Sequence, residues 1–208
     1  MSTTSQDREH NRANTVDVPT DPAARGTHAP PTRGTEPELA PRAGKWMAVT
    51  RIALGLTFLW AFFDKMFGLG YSTPSARSWI SGGSPTKGFL SHVEVGPLSD
   101  FFQGLAGNTV VDWVFMLGLL GIGLAFTFGI AMWISAISGA VMLMMMWAAE
   151  WPLAQMTSSG QPSGSTNPII DYHLIYALTM ITLALLGAGR VWGLARQWRA
   201  TSLGRVLP

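Results

Sequence analysis

Between Val110 and Trp151 the chain carries only two charged residues, Asp112 and Glu150. As one helix this run would extend about 60 Å, roughly twice the ~30 Å hydrocarbon layer of a bilayer. It must therefore turn back on itself. The turn is expected at Gly129-Ile130-Ala131-Met132, which divides the run into membrane spans over 110–129 and 132–151. Two other segments have the length and polarity of spans, 46–67 and 169–189. The fold class expected is all-α, an integral membrane four-helix bundle. Charged residues make up 12% of the chain, about half of what a soluble domain carries.

The flanks set the expected topology. Residues 1–44 hold six prolines, scattered charges of both signs and almost no large apolar side chain. Such a segment cannot offset its ordering entropy by burial and is expected to be a disordered cytoplasmic tail. It has no apolar core of the signal-peptide kind, so the first span acts as an uncleaved anchor. Arg42, Lys45 and Arg51 precede or open the first span, and Arg190, Arg196 and Arg199 follow the fourth. The positive-inside rule then places both termini in the cytoplasm of a multi-pass cell-membrane protein, with a transmembrane domain over 45–192 and a basic tail over 193–208. The 129–132 turn, on the same side, has no Lys or Arg and adds nothing to this assignment. Trp60, Trp113, Trp147 and Trp151 fall at the outer boundary and Trp46, Trp133, Trp192 and Trp198 at the inner one, as aromatic belts.

Small residues recur every four positions, Gly121, Ala125 and Gly129 on the second span and Ala131, Ser135 and Gly139 on the third. That spacing predicts a tight hairpin between the two. The methionines at 142 and 144–146 cover several helix faces and read as packing. The loop over 68–108 is long for a bundle connection. Thr73-Pro74 marks a helix start within it, and Leu98, Phe101, Phe102 and Leu105 follow helical spacing, so short amphipathic segments are expected to cover the outer mouth as a lid. Gly82-Gly83-Ser84-Pro85-Thr86-Lys87-Gly88 lacks the Ser or Thr that follows a phosphate-loop lysine and reads as a flexible turn. The uncharged, Ser- and Gly-rich stretch over 152–168 reads as a mobile linker.

Each span places an acid at its outer end: Asp64, Asp112, Glu150 and Asp171. Asp112 and Asp171 precede or open helices, where a carboxylate caps free N–H groups. Asp64 and Glu150 close helices, where the dipole disfavours negative charge. Lys65 can offset Asp64. Glu150 has no basic neighbour in sequence and stands among Trp147, Trp151 and Pro152, a setting that desolvates it unless a partner arrives through space. His173 lies two residues beyond Asp171. These four residues, Glu150, Asp171, His173 and Asp64, are the candidates for proton handling. Arg51 is expected to snorkel to the inner headgroups. Lys65, Arg77 and Lys87 place positive charge outside, suited to an anionic substrate or anionic headgroups.

Cysteine is absent, which removes thiolate catalysis, Fe–S clusters and dithiol relays. Only His92 and His173 accompany the apolar part, which argues against a bis-histidine haem, and no metal is expected. The net charge of +2 reflects topology rather than nucleic-acid binding.

The segments Arg51-Ile52-Ala53-Leu54-Gly55, Trp60-Ala61-Phe62-Phe63-Asp64-Lys65, Ala148-Ala149-Glu150 and Asp171-Tyr172-His173, with the Gly-rich second span, together resemble the DoxX family of small bacterial membrane proteins. The likeness covers about Lys45 to Trp192. It implies a four-helix membrane bundle and a link to the DoxD-type subunit of thiosulfate:quinone oxidoreductase. It also implies, for some members, association with sulfurtransferase and superoxide-detoxifying partners. Trp133 is a departure, standing where relatives often carry a basic residue.

Two functions fit these readings, and a third fits less well. The first is a subunit of a quinone-linked redox assembly, handling sulfur compounds or oxidative stress. Trp60, Trp147 and Trp151 would line a slot for menaquinone or ubiquinone, and Glu150, Asp171 and His173 would relay protons. Electrons would come from a bound reductant or a partner's cofactor. The second is a non-catalytic membrane anchor for redox or sulfurtransferase partners. The third, a proton or solute carrier, requires ionisable groups deeper in the membrane than this sequence has.

Overall fold

The computed structural model describes residues 41–206. Helix α1 runs Pro41–Phe67, and two 3-10 turns follow at Ser75–Arg77 and Trp79–Ser81. Short helices α2, Lys87–Leu90, and α3, Ser99–Leu105, lead into α4, Thr109–Phe128, and α5, Met132–Glu150. Then come α6, Tyr172–Leu185, a 3-10 turn at Ala188–Arg190, α7, Ala195–Ala200, and α8, Ser202–Val206. Among the described residues there is no strand, only an isolated bridge between Met156 and Pro162.

Helices α1, α4 and α5 are long and apolar enough to cross a membrane. Leu56, Phe63, Leu117, Leu124, Ile137 and Val141 stand exposed along them. Large apolar side chains left uncovered over such lengths mark a protein whose surroundings are lipid. The expected disordered tail lies outside the described residues except for 41–44, which belong to α1.

The long apolar run turns where expected. Gly129 and Ala131 adopt φ of +69° and +45°, which ends α4 and reverses the chain into α5. A Cβ on Gly129 would also lie 2.8 Å from Nη1 of Arg51, so glycine serves both the turn and the close approach. The fourth apolar segment is shorter than expected. With 14 residues, α6 reaches only about 21 Å. Asn167 Oδ1 accepts from the amides of Ile169 and Ile170, at 2.9 and 2.8 Å, and holds both residues outside the helix. At the other end Gly187, at φ +65°, stops α6.

Packing differs from the small-residue pattern. α1 lies chiefly against α4 and α5 against α6, and the α4–α5 contact is smaller. α1 and α4 approach closely at Gly55 and Gly123: a Cβ on Gly55 would fall 2.5 Å from the Thr127 amide and 2.9 Å from the Gly123 carbonyl, and one on Gly123 2.9 Å from the Leu59 amide. Gly121, in the predicted seam, faces no atom within 4 Å. Gly139 makes room mainly for Met180 of α6. Phe58, Phe62, Met116, Ile122, Phe126, Leu143 and Met180 fill the core between the helices, with Met142 and Met144 packed on it.

Arg51 does not snorkel. Its side chain is 0% exposed, and the guanidinium donates to the carbonyls of Phe126, Thr127, Val191 and Trp192. The first two belong to the C-terminal turn of α4, whose free carbonyls and dipole favour a cation. One fork thus ties α1 to the end of α4 and to the segment after α6.

At the opposite end the connections are pinned. Leu90, Val93 and Phe102 pack on Ala149 of α5. Asp112 is buried and accepts from the Ser84 hydroxyl at 2.9 Å and from the Thr86 amide and hydroxyl at 3.1 and 2.6 Å. The Gly-rich turn is therefore held by α4. Asp112 is not the cap of that helix; Asn108 is, accepting from the Val110 and Val111 amides at 2.9 and 3.3 Å. The 152–168 stretch is hydrogen-bonded within itself, through Ser163 to the Ala154 carbonyl and Ser165 to the Pro152 carbonyl, at 2.6 and 2.7 Å.

Candidate functional site

Three of the four predicted proton-handling residues meet where α5 ends and α6 begins. α5 stops at Glu150 because Trp151 turns into left-handed backbone, φ +42°, and Pro152 follows. α6 starts after Asp171, which has extended backbone and whose Oδ1 accepts from the Leu174 amide at 3.2 Å. Since α5 and α6 pack together, the positive end of the α6 dipole lies beside the acid that α5 holds at its own unfavourable end.

His173 is 0% exposed. Its Nδ1 is 2.8 Å from Asp171 Oδ2. With the Asp171 carboxylate as acceptor, Nδ1 is the donor, and in the neutral ring the lone pair is then on Nε2. Nε2 is buried without a hydrogen-bond partner and lies 3.9 Å from Oε1 of Glu150. The hydroxyl of Tyr172 donates to that same oxygen at 3.1 Å. The Tyr172 and His173 rings are 4.0 Å apart between centroids. The side chain of Glu150 is 37% exposed, so it links the buried imidazole to the outside.

Glu150, Asp171 and Tyr172 face a cleft of about 520 Å³, with Phe89 and Val93 on an apolar wall and Asn167 on a polar one. A cleft of this volume is in the range that holds a small organic ligand. Nε2 of His173 and the Glu150 carboxylate thus face each other at the edge of the cleft.

The other predicted residues are elsewhere. Asp64, 1% exposed, accepts from the amides of Tyr71 and Ser72 at 3.2 and 3.0 Å and from the Ser72 hydroxyl, and so closes the chain reversal after α1. Trp147 and Trp151 meet edge to face at 5.9 Å, and the Trp147 indole donates to the Ile169 carbonyl at 3.1 Å. Gly96 lies against the Trp151 ring. Trp60 packs on Tyr71 instead, with centroids 5.0 Å apart. None of the three lines the cleft; Trp147 and Trp151 brace the segments that do. Lys65 is half-buried over the Phe115 ring, 5.9 Å from its centroid. Arg77 and Lys87 are exposed.

Tyr172 was missed in the sequence although it stands between Asp171 and His173. Its adjacency to both was the available signal. Glu94 and His92 also line the cleft, and no local pattern marks them. Comparison with protein-family models, curated proteins and solved structures gives no match to the chain.

Proposed function

We propose that this chain is a DoxX-like membrane subunit that exchanges protons with a quinone in a redox assembly acting on sulfur compounds or in oxidative stress. The observation that carries the reading is the buried Nε2 of His173, oriented by Asp171 and facing the exposed carboxylate of Glu150 at the edge of a ligand-sized cleft. Quinone reduction consumes protons at the membrane surface, and a positioned imidazole–carboxylate pair supplies them. The quinone head would occupy the cleft, with Tyr172 beside it and Trp147 and Trp151 holding its walls. When bound, the quinone supplies the electron acceptor. The chain has no cysteine to carry electrons, so these come from a bound reductant or a partner's cofactor. Arg77 and Lys87 would draw in an anionic reductant.

In the same reading α6, lengthened by the flanking residues, completes a four-helix membrane bundle. The segments over 68–108 form a lid over the Glu150 end. The Arg51 end faces the cytoplasm with both termini, as the basic flanks favour.

The test is isolation of the chain with its partners from native membranes, followed by quinone extraction. Bound menaquinone or ubiquinone together with a stoichiometric oxidoreductase partner is the expected result. A stoichiometric partner without quinone would refute the relay and favour a membrane anchor.

A further inference from the structure

The Glu150 end holds a donor set that a proton relay does not exhaust. Nε2 of His173 is completely buried, unpartnered and aimed at Glu150. Leaving such an atom without a partner is costly unless something fills the gap. The proton on Nδ1 is fixed by Asp171, so the free lone pair is Nε2. One ligand atom each from Glu150, Asp171 and His173 lies within 4.8 Å of the others.

We propose that His173 Nε2 and the Glu150 carboxylate bind a divalent transition-metal cation of the zinc type, with Asp171 as the residue that orients the imidazole.

The distances suit such an ion. Imidazole nitrogen and carboxylate oxygen each bind zinc at about 2.0–2.2 Å, so an ion between them separates the two by up to roughly 4.2 Å. The observed separation is 3.9 Å. The imidazole is held rigidly, whereas Glu150 is partly exposed and can adjust to the ion's preferred angle. A histidine whose other nitrogen donates to a carboxylate is the usual form of a metal-binding imidazole. Tyr172 donates to Glu150 and orients the second ligand in the same way. Mixed imidazole and carboxylate donors favour zinc, cobalt, nickel or copper over magnesium and calcium, which prefer oxygen alone. Glu150 borders the cleft, so water can occupy the remaining positions.

The test uses the full-length, untagged protein in detergent, stripped of metal and titrated with Co²⁺ followed by Zn²⁺ in competition, read by visible absorption. The parent is expected to bind one Co²⁺ that Zn²⁺ displaces. Glu150→Gln and His173→Gln should weaken binding at least about tenfold and Asp171→Asn by about ten- to a hundredfold. Asp100→Asn, at an exposed carboxylate outside the cleft, should bind as the parent does. Glu150 is at a helix end and partly exposed, so Glu150→Gln should melt like the parent and decides the matter even if His173→Gln folds poorly. No Co²⁺ binding by the parent, or parent-like binding by Glu150→Gln, overturns the site. Normal quinone-linked turnover of Glu150→Gln in chelator overturns the relay and leaves the binding result standing, so the two readings fail separately.

Discussion

Replacing Arg51 separates two incompatible roles for a basic residue in α1. A residue that snorkels to headgroups can be exchanged for lysine without loss, and methionine there costs little. The guanidinium observed instead forks between two pairs of carbonyls, Phe126 and Thr127 on one side and Val191 and Trp192 on the other. The bond to Val191 is long at 3.4 Å, so three strong contacts remain. At about 1.5–3 kcal/mol for each hydrogen bond to a charged group, they contribute roughly 4–9 kcal/mol. Taking the guanidinium out of water, with Nε left unpartnered, costs several kcal/mol, which leaves a net of roughly 2–4 kcal/mol. Arg51→Met should therefore lower the melting temperature in detergent by roughly 5–15 °C. Arg51→Lys should recover about half of that, because a single ammonium cannot reach both carbonyl pairs. Hydrogen exchange adds a local readout: the Leu194 amide, bonded to the Phe128 carbonyl at 2.8 Å, should exchange faster in both variants. Lysine behaving like arginine, with methionine within about 1 °C of the parent, would refute the clamp.

Two further outcomes follow from the packing and the flanks. Gly123→Ala places a Cβ 2.9 Å from the Leu59 backbone and should destabilise by about 1–3 kcal/mol, whereas Gly121→Ala, with nothing within 4 Å, should be neutral or slightly stabilising; thermal melts of the pair check this. Ser159→Cys and Ser202→Cys each introduce a single thiol into a cysteine-free chain. An impermeant reagent should label the first in intact cells and the second only after lysis, and the reverse pattern would overturn the proposed orientation.

The parts of the fold that were legible in sequence are those set by local physics. A charge-poor run too long for one span had to turn, and Gly129 supplied the backbone freedom to do so. The length of the fourth helix was not legible, because Asn167 and Asp171 hold the amides of Ile169, Ile170 and Leu174 outside or at the edge of the helix, and hydropathy does not register such bonds. The small-residue seam failed for a different reason. Spacing identifies which residues permit close approach but not which neighbour arrives: α1 packs at Gly123, and nothing meets Gly121. Arg51 and Asp112 were misread because both are satisfied by segments far along the chain, the carbonyls after α6 and the turn at Ser84–Thr86. The candidate site was half legible. Glu150, lacking any basic neighbour in sequence, required a partner through space, and α6 brought Tyr172 and His173. Asp64 presented the same puzzle and was answered locally by Tyr71 and Ser72.

The most direct test of the proposed relay compares Glu150→Gln with Asp112→Asn in matched native membranes, measuring quinone-linked turnover after checking that the assembly forms. Each replaces a carboxylate at the same end of the helices with an amide of the same shape. Asn at 112 can still accept from Ser84 and Thr86, so that variant should work nearly as the parent does. Gln at 150 keeps the hydrogen bond from Tyr172 but cannot hand a proton to His173, and turnover should fall at least about a hundredfold. Turnover at the parental level in Glu150→Gln, with the assembly intact, would contradict the account.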